Sequence, residues 1–174
     1  ADHFMGGLFY LAPLFLGVAP KVPDAFRMGG GVRFEDFGPE CVVALDMISS
    51  GQYEQRLISY WLSKLPDVVA RLQRGGRVLD VGCGVGRVAV VLAKAFPKCE
   101  VIGLDPDPES IKKARESAAD AGVGDRVRFL ANTTRDIDRG DGFDLITACD
   151  CVHDFSTPRQ TLGEMRALLK PDGT

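Results

Sequence analysis

Basic residues never gather into a long run in this 174-residue chain; its 21 lysines and arginines are dispersed among 24 acidic residues, for a net charge of −3. A sequence-independent grip on a phosphate backbone needs such a cluster, so the composition gives nucleic-acid binding no support. Cysteine is sparse and irregular. Five residues, an odd number without repeated spacing, argue against a disulfide framework and make a reducing cytosol the default setting. No apolar run is long: Leu8 to Val18 is interrupted by Pro13 and falls short of the ~20 residues of a membrane-crossing helix. Asp2 and His3 stand where a secretory leader carries positive charge. A mainly disordered chain is excluded from the other side, since 45% of residues are hydrophobic and 26% charged, both ordinary for a globular protein. The length suits one domain, or one domain with an appendage.

The pattern of apolar residues changes near residue 76. Before it, the spacing is helical and no strand is convincing. A helix is predicted over His3–Leu16, with Pro20 to Pro23 breaking whatever precedes. The Gly29-Gly30-Gly31 run must be a loop. One or two helices are predicted from Pro39 to Leu65, where Leu57, Ile58, Trp61, Leu62 and Leu65 form a stripe for burial, and a short one from Asp67 to Gln73. After residue 76, strands alternate with helices: strands at Arg77–Val81, Glu100–Asp105, Arg126–Leu130 and Phe143–Ala148, helices at Arg87–Phe96, after Asp107, and at Pro158–Leu169. The helix after Asp107 is well signed, with Asp107 as N-cap, Pro108 in the first turn and Gly122 past the end. This alternation implies an α/β fold with a doubly wound parallel sheet and helices on both faces. The domain reading is a helical N-terminal segment, 1–76, and an α/β domain, 77–174.

In open parallel sheets ligands sit beyond the carboxyl ends of the strands. The first such end carries Asp80 followed by Gly82-Cys83-Gly84-Val85-Gly86. Alternating glycines permit positive φ and bring backbone amides close to a ligand. The dinucleotide fingerprint G-x-G-x-x-G would put its third glycine at residue 87, which is Arg87; here it is Gly86, one position early. That disfavours a nicotinamide-dependent dehydrogenase. At the second strand end, Asp105 lies 19 residues after Gly86, where an acidic residue accepts the hydroxyls of a ribose. Asp107 is already placed to cap the following helix, which leaves Asp105 with spare hydrogen-bonding capacity.

These two segments, Val78-Leu79-Asp80-Val81-Gly82-Cys83-Gly84-Val85-Gly86 and Val101-Ile102-Gly103-Leu104-Asp105, resemble the first two signatures of class I S-adenosylmethionine-dependent methyltransferases. Leu168-Leu169-Lys170-Pro171-Asp172-Gly173 resembles the segment before their fifth strand. The resemblance runs from about Arg77 to Thr174. It implies that Asp80 and the Gly82–Gly86 loop, Cys83 included, face the methionine part of the cofactor, that Asp105 holds the ribose, and that Pro106 lies against the adenine. The family usually ends its third strand in an aspartate toward the adenine amino group; here the stretch reads Leu130-Ala131-Asn132-Thr133-Thr134, with Thr133 at that place, and a hydroxyl or the Asn132 oxygen would be a weaker acceptor. A narrower likeness, carried by Asp150-Cys151-Val152-His153-Asp154 and by Gly30–Phe37, is to family members with a winged-helix module in front, whose tail makes dimer contacts. On that likeness the N-terminal segment covers the cleft and contributes to a homodimer.

His153 beside Asp154, just past the fourth strand, has the chemistry of a general base oriented by a carboxylate; the alternative is a histidine that fixes its turn. Cys149, Cys151 and His153 alternate and would point the same way on an extended strand, but no fourth ligand is visible, and no metal is expected. The candidate cofactor-binding set is Asp80, Gly82, Cys83, Gly84, Gly86, Asp105, Pro106, Thr133, Thr134 and Asp150. The resemblance implies methyl transfer from S-adenosylmethionine, leaving S-adenosylhomocysteine, to a small-molecule acceptor, in the cytoplasm and without a membrane. A non-catalytic module that holds the same cofactor for regulation or dimerisation is the alternative. The chain opens without methionine and stops at a turn where a strand is due. The expectation is a piece of a longer protein, with the outer edge of the Phe143–Ala148 strand left bare.

Overall fold

A computed structural model describes residues 6–174. The chain divides into two compact units, the first running to Gln52 and the second from Tyr53 to Thr174. The N-terminal part of the predicted His3–Leu16 helix lies outside the described residues.

The first unit is helical: α1 (Gly6–Val18), a 3₁₀ turn at Ala19–Lys21, α2 (Val22–Met28), a second 3₁₀ turn at Phe34–Phe37, and most of α3 (Glu40–Arg56). Leu11, Cys41 and Ala44 form its small core, with Leu14, Phe37 and Ile48 packed around them. A Cβ on Gly7 would lie 2.6 Å from the Ile48 side chain, so the helices meet where Gly7 has none. The expected break at Pro20–Pro23 is a change of helix type and not an end: α1 stops at Val18, a 3₁₀ turn follows, and α2 resumes at Val22. Both prolines fall in the first turn of the next helical segment, where a missing N–H leaves nothing unbonded. The helical stretch therefore continues from Gly6 to Met28 and, by length and apolar composition, is long enough to cross a membrane, which corrects the reading from Leu8–Val18 alone. Core helices and leader sequences share that composition, so the stretch identifies no compartment. Phe9 and Phe26 on it are 83% and 87% exposed.

The second unit begins with the end of α3, passes through a π turn at Leu57–Trp61 and a 3₁₀ turn at Leu62–Lys64, and enters α4 (Pro66–Arg74). Strand–helix alternation follows: β1 (Arg77–Val81), α5 (Arg87–Ala95), β2 (Glu100–Leu104), α6 (Pro108–Asp120), β3 (Val127–Leu130), β4 (Leu145–Thr147) and α7 (Pro158–Leu168). The four strands form one parallel sheet in the order β3-β2-β1-β4. Side chains alternate between two buried faces, as the period of two in a strand requires. Val78, Val101, Val127, Phe129 and Leu145 face a core with α4, α5 and α6; Leu79, Val81, Ile102 and Leu104 face a second core with Phe143 and Leu168.

The outer edge of the fourth strand is not bare. The Phe143 amide donates to the Leu168 carbonyl and the Phe143 carbonyl accepts from Lys170, both at 3.0 Å. Further along, Ile146 donates to Thr174 at 2.8 Å and Thr174 to Asp144 at 3.1 Å. The residues after α7 thus run beside this edge and satisfy groups that were expected to be unpaired.

Candidate functional site

The loop after β1 is built on glycines in the left-handed region: Gly82 at φ 66°, Gly84 at φ 51° and Gly86 at φ 80°. The Leu104 carbonyl accepts from both the Gly82 and Cys83 amides, at 2.8 and 3.0 Å, which anchors the loop to the end of β2. A Cβ on Gly82 would sit 2.7 Å from Cys151, and one on Gly86 would meet the Phe129 ring at 2.7 Å. Gly86 caps α5 and lets the helix start directly against the sheet.

Two carboxylates stand at adjacent strand ends. Asp105 accepts from the Gly84 amide on one oxygen and from the Asp107 amide on the other, each at 3.0 Å. Its expected spare capacity is therefore partly used, although a carboxylate offers about four acceptor sites. Burial pushes Asp105 above the usual carboxylate range, and the two amides counter it. Asp107 caps α6 as expected, accepting from Glu109 and Ser110. Asp80 is 1% exposed. Its Oδ1 accepts from the Thr147 hydroxyl at 2.7 Å, while its Oδ2 is buried and has no hydrogen-bond partner. Burial pushes Asp80 up to about 7, against the pull of the Thr147 hydroxyl and of the Ala89 amide in the first turn of α5.

A cavity of about 340 Å³ opens at these strand ends. Gly82 from the loop after β1, Pro106 from the loop after β2, and Thr133 and Thr134 from the loop after β3 line it together. Asp154 and Phe155 close it from beyond β4. A larger depression of about 430 Å³ lies over α5 and α6 beside the Glu54–Arg87 ion pair. None of the strand-end residues lines it, so the smaller cavity is the one placed where parallel sheets bind ligands.

The candidate residues divide accordingly. Gly82, Pro106, Thr133, Thr134 and Asp154 line the cavity; Asp80 and Asp105 sit beside its lining residues; Cys83 is buried, its thiol pushed up by burial and the nearby Asp80. Thr133 donates to Asp136 at 2.8 Å within its own turn, and Thr134 donates to Glu164. His153 is on a 3₁₀ turn, Val152–Asp154, with Nε2 3.4 Å from Asp154 and Nδ1 4.0 Å from Asp150. All three side chains are largely exposed, and neither His153 nor Asp150 lines the cavity.

The expected alternation of Cys149, Cys151 and His153 is broken. Asp150 adopts φ 55°, which turns the chain out of the strand. Cys151 instead donates to the Val81 carbonyl at 3.1 Å, and Cys149 packs on the core of α4, α5 and α6. Burial, then the Asp80 charge, pushes both thiols up to about 12. Among the described residues no three His, Cys, Asp or Glu side chains come together as a metal site would require.

Two residues of the site escaped the sequence reading. Thr147 becomes a partner of Asp80 only through the β1–β4 register. Glu164, on α7, lines the cavity and accepts from Thr134, Arg135 and Gln160; in the sequence it is one more polar residue of an amphipathic helix.

The methyltransferase domain family model matches residues 78–173. The uncharacterised methyltransferase YcgJ of Bacillus subtilis is 36% identical over 98 residues, which is 56% of this chain and 38% of YcgJ. Its crystal structure superposes with a TM-score of 0.52 over 64% of this chain and 47% of that one, at 32% identity. An S-adenosylmethionine-dependent methyltransferase of Geobacter sulfurreducens, solved with S-adenosyl-L-homocysteine, covers 64% of this chain and 44% of its own at a TM-score of 0.52 and 25% identity. A protein of Nostoc punctiforme described as a candidate O-methyltransferase matches 95% of this chain and 49% of its own at a TM-score of 0.70 and 22% identity, a likeness of fold. The chain thus spans less than half the length of each of these proteins.

Proposed function

Because the chain belongs to the methyltransferase domain family, we propose that it binds S-adenosylmethionine at the ends of β1, β2 and β3 and passes the methyl group to a small-molecule acceptor. The observation that carries this reading is the convergence of Gly82, Pro106 and Thr133–Thr134, from three successive strand ends, on one cavity. The donor set fits the ligand. A buried carboxylate oxygen without a partner on Asp80, and a second carboxylate on Asp105, suit a cationic ligand that also carries a ribose diol.

In this reading the Gly82–Gly86 backbone and Asp80 receive the methionine part, with Cys83 supporting the loop from beneath. Asp105 accepts from the ribose hydroxyls through its remaining acceptor sites, and Pro106, Thr133 and Thr134 border the adenine. When bound, S-adenosylmethionine supplies an electrophilic methyl group on a sulfonium leaving group. The chain's own work is then positioning, with Asp154, 3.4 Å from Nε2, orienting the imidazole and His153 removing a proton from the acceptor through Nδ1. Five free cysteines support a reducing, cytoplasmic setting.

Equilibrium binding of S-adenosylmethionine against NAD tests the cofactor; preference for NAD would overturn the reading. Release of S-adenosylhomocysteine over a panel of hydroxyl, amine and carbon acceptors tests turnover. Tight binding with no release on any acceptor would favour the non-catalytic module, which the exposure of His153 also favours.

A further inference from the structure

Asp80 is placed unlike an ordinary ligand-binding carboxylate. It is 1% exposed, one oxygen holds the Thr147 hydroxyl, and the other makes no hydrogen bond of ordinary geometry, with the Ala89 amide of α5 as its nearest backbone donor. The titratable groups that face it are Asp105 beyond β2, Cys83 in the glycine loop, and Cys149 and Cys151 beyond β4. None is a cation. The three thiols stay protonated, and Asp105 repels a second negative charge. A buried carboxylate with only neutral donors, the Thr147 hydroxyl and the Ala89 amide, and no counter-ion is held most cheaply as the neutral acid.

We propose that Asp80 carries a proton in the ligand-free protein and loses it to solvent when a cationic ligand binds, so that ligand affinity is linked to pH. The inference rests on the functional reading above for the identity of the ligand, but the resting protonation of Asp80 does not depend on it. The positive charge of the ligand supplies what the protein withholds, and the proton leaves as that charge arrives. Thr147 is a positioning residue here: its hydroxyl stabilises the ionised form and so sets where the proton leaves.

Burial holds Asp80 at about 7, so if the bound form is ionised throughout, affinity should weaken about tenfold between pH 8 and pH 6. The experiment combines two measurements on the purified chain. Carbon-13 NMR follows the Asp80 carboxyl through a pH titration without ligand, and calorimetry with S-adenosylmethionine in buffers of different ionisation enthalpy counts the protons released. A midpoint near neutrality, proton release at pH 6.5 that vanishes by pH 9, and a pH profile shifted upward in Thr147→Val are expected. A ligand-free midpoint below 5 would overturn the proposal, as would binding without proton release, or an unshifted profile in a folded Thr147→Val. Absence of binding at every pH would overturn the functional reading and the coupling together, whatever the NMR midpoint.

Discussion

Asp80 and Asp105 stand at neighbouring strand ends, yet the protein treats them differently. Asp105 is tied by two backbone amides. Asp80 has the Thr147 hydroxyl on one oxygen, and on the other only the nearby Ala89 amide. Asp105→Ala should weaken S-adenosylmethionine binding at least about tenfold, since a charge-assisted hydrogen bond contributes roughly 1.5–3 kcal/mol; calorimetry that finds unchanged affinity would remove Asp105 from the site. For Asp80 the consequence is also one of stability. Its folded value of about 7 lies above the ordinary 3.8, so the folded state binds the proton more tightly. The stability this contributes is fully present below about pH 4 and is lost as pH rises through 7, an amount on the order of 4 kcal/mol. Asp80→Asn should therefore melt with a flatter pH dependence between pH 5 and 8 than the parent, and parallel melting profiles would contradict the assignment. Both carboxylates were legible in the sequence because the glycine spacing and the 19-residue interval mark strand ends. Thr147 was not. Its role is created by the register Asp80↔Thr147 between strands 67 residues apart, which no local pattern encodes.

At the scale of elements, the glycine loop and the start of α5 act as one piece. Gly86 at φ 80° packs where any Cβ would meet the Phe129 ring and Ala114. Gly86→Ala combines a left-handed backbone, about 1–2 kcal/mol, with overpacking of about 1–3 kcal/mol. Urea denaturation should show a loss within that combined range, and a loss below about 0.5 kcal/mol would mean that α5 shifts freely away from β3. Elements with period and caps in their favour were legible: β1 and β2, and α6 with Asp107 at its head. Those misread share a cause. Pro20 and Pro23 mark a 3₁₀ turn and not a stop, because a proline's effect depends on where the helix turn begins. The Cys149–His153 stretch reads as extended in the sequence because nothing in the residue types announces a left-handed Asp150.

At the scale of the whole second unit, the sheet order β3-β2-β1-β4 leaves two outer strands. An unpaired edge on an apolar strand is a template for association. The β3 edge carries the exposed Arg128, a charge of the kind that discourages pairing. The β4 edge is protected by backbone instead: residues 170–174 bond to Phe143, Asp144 and Ile146, and Lys170 reaches the buried Asp144 carboxylate at 2.8 Å. Burial alone would raise Asp144, but Lys170 and the Arg77 amide hold it below the usual range. Deleting residues 170–174 removes that ion pair and the backbone bonds from Lys170, Thr174 and Ile146 along the edge. The pair is only partly buried and Asp144 keeps the Arg77 amide, so the loss is about 1–3 kcal/mol and the shortened chain should unfold at lower urea concentration. It should also self-associate, because the Phe143–Thr147 edge is then open to a second copy. Size-exclusion chromatography coupled to light scattering reads the second effect directly. A truncated chain that remains monomeric with an unchanged unfolding midpoint would show that β4 is held by its β1 partner and the α7 core alone.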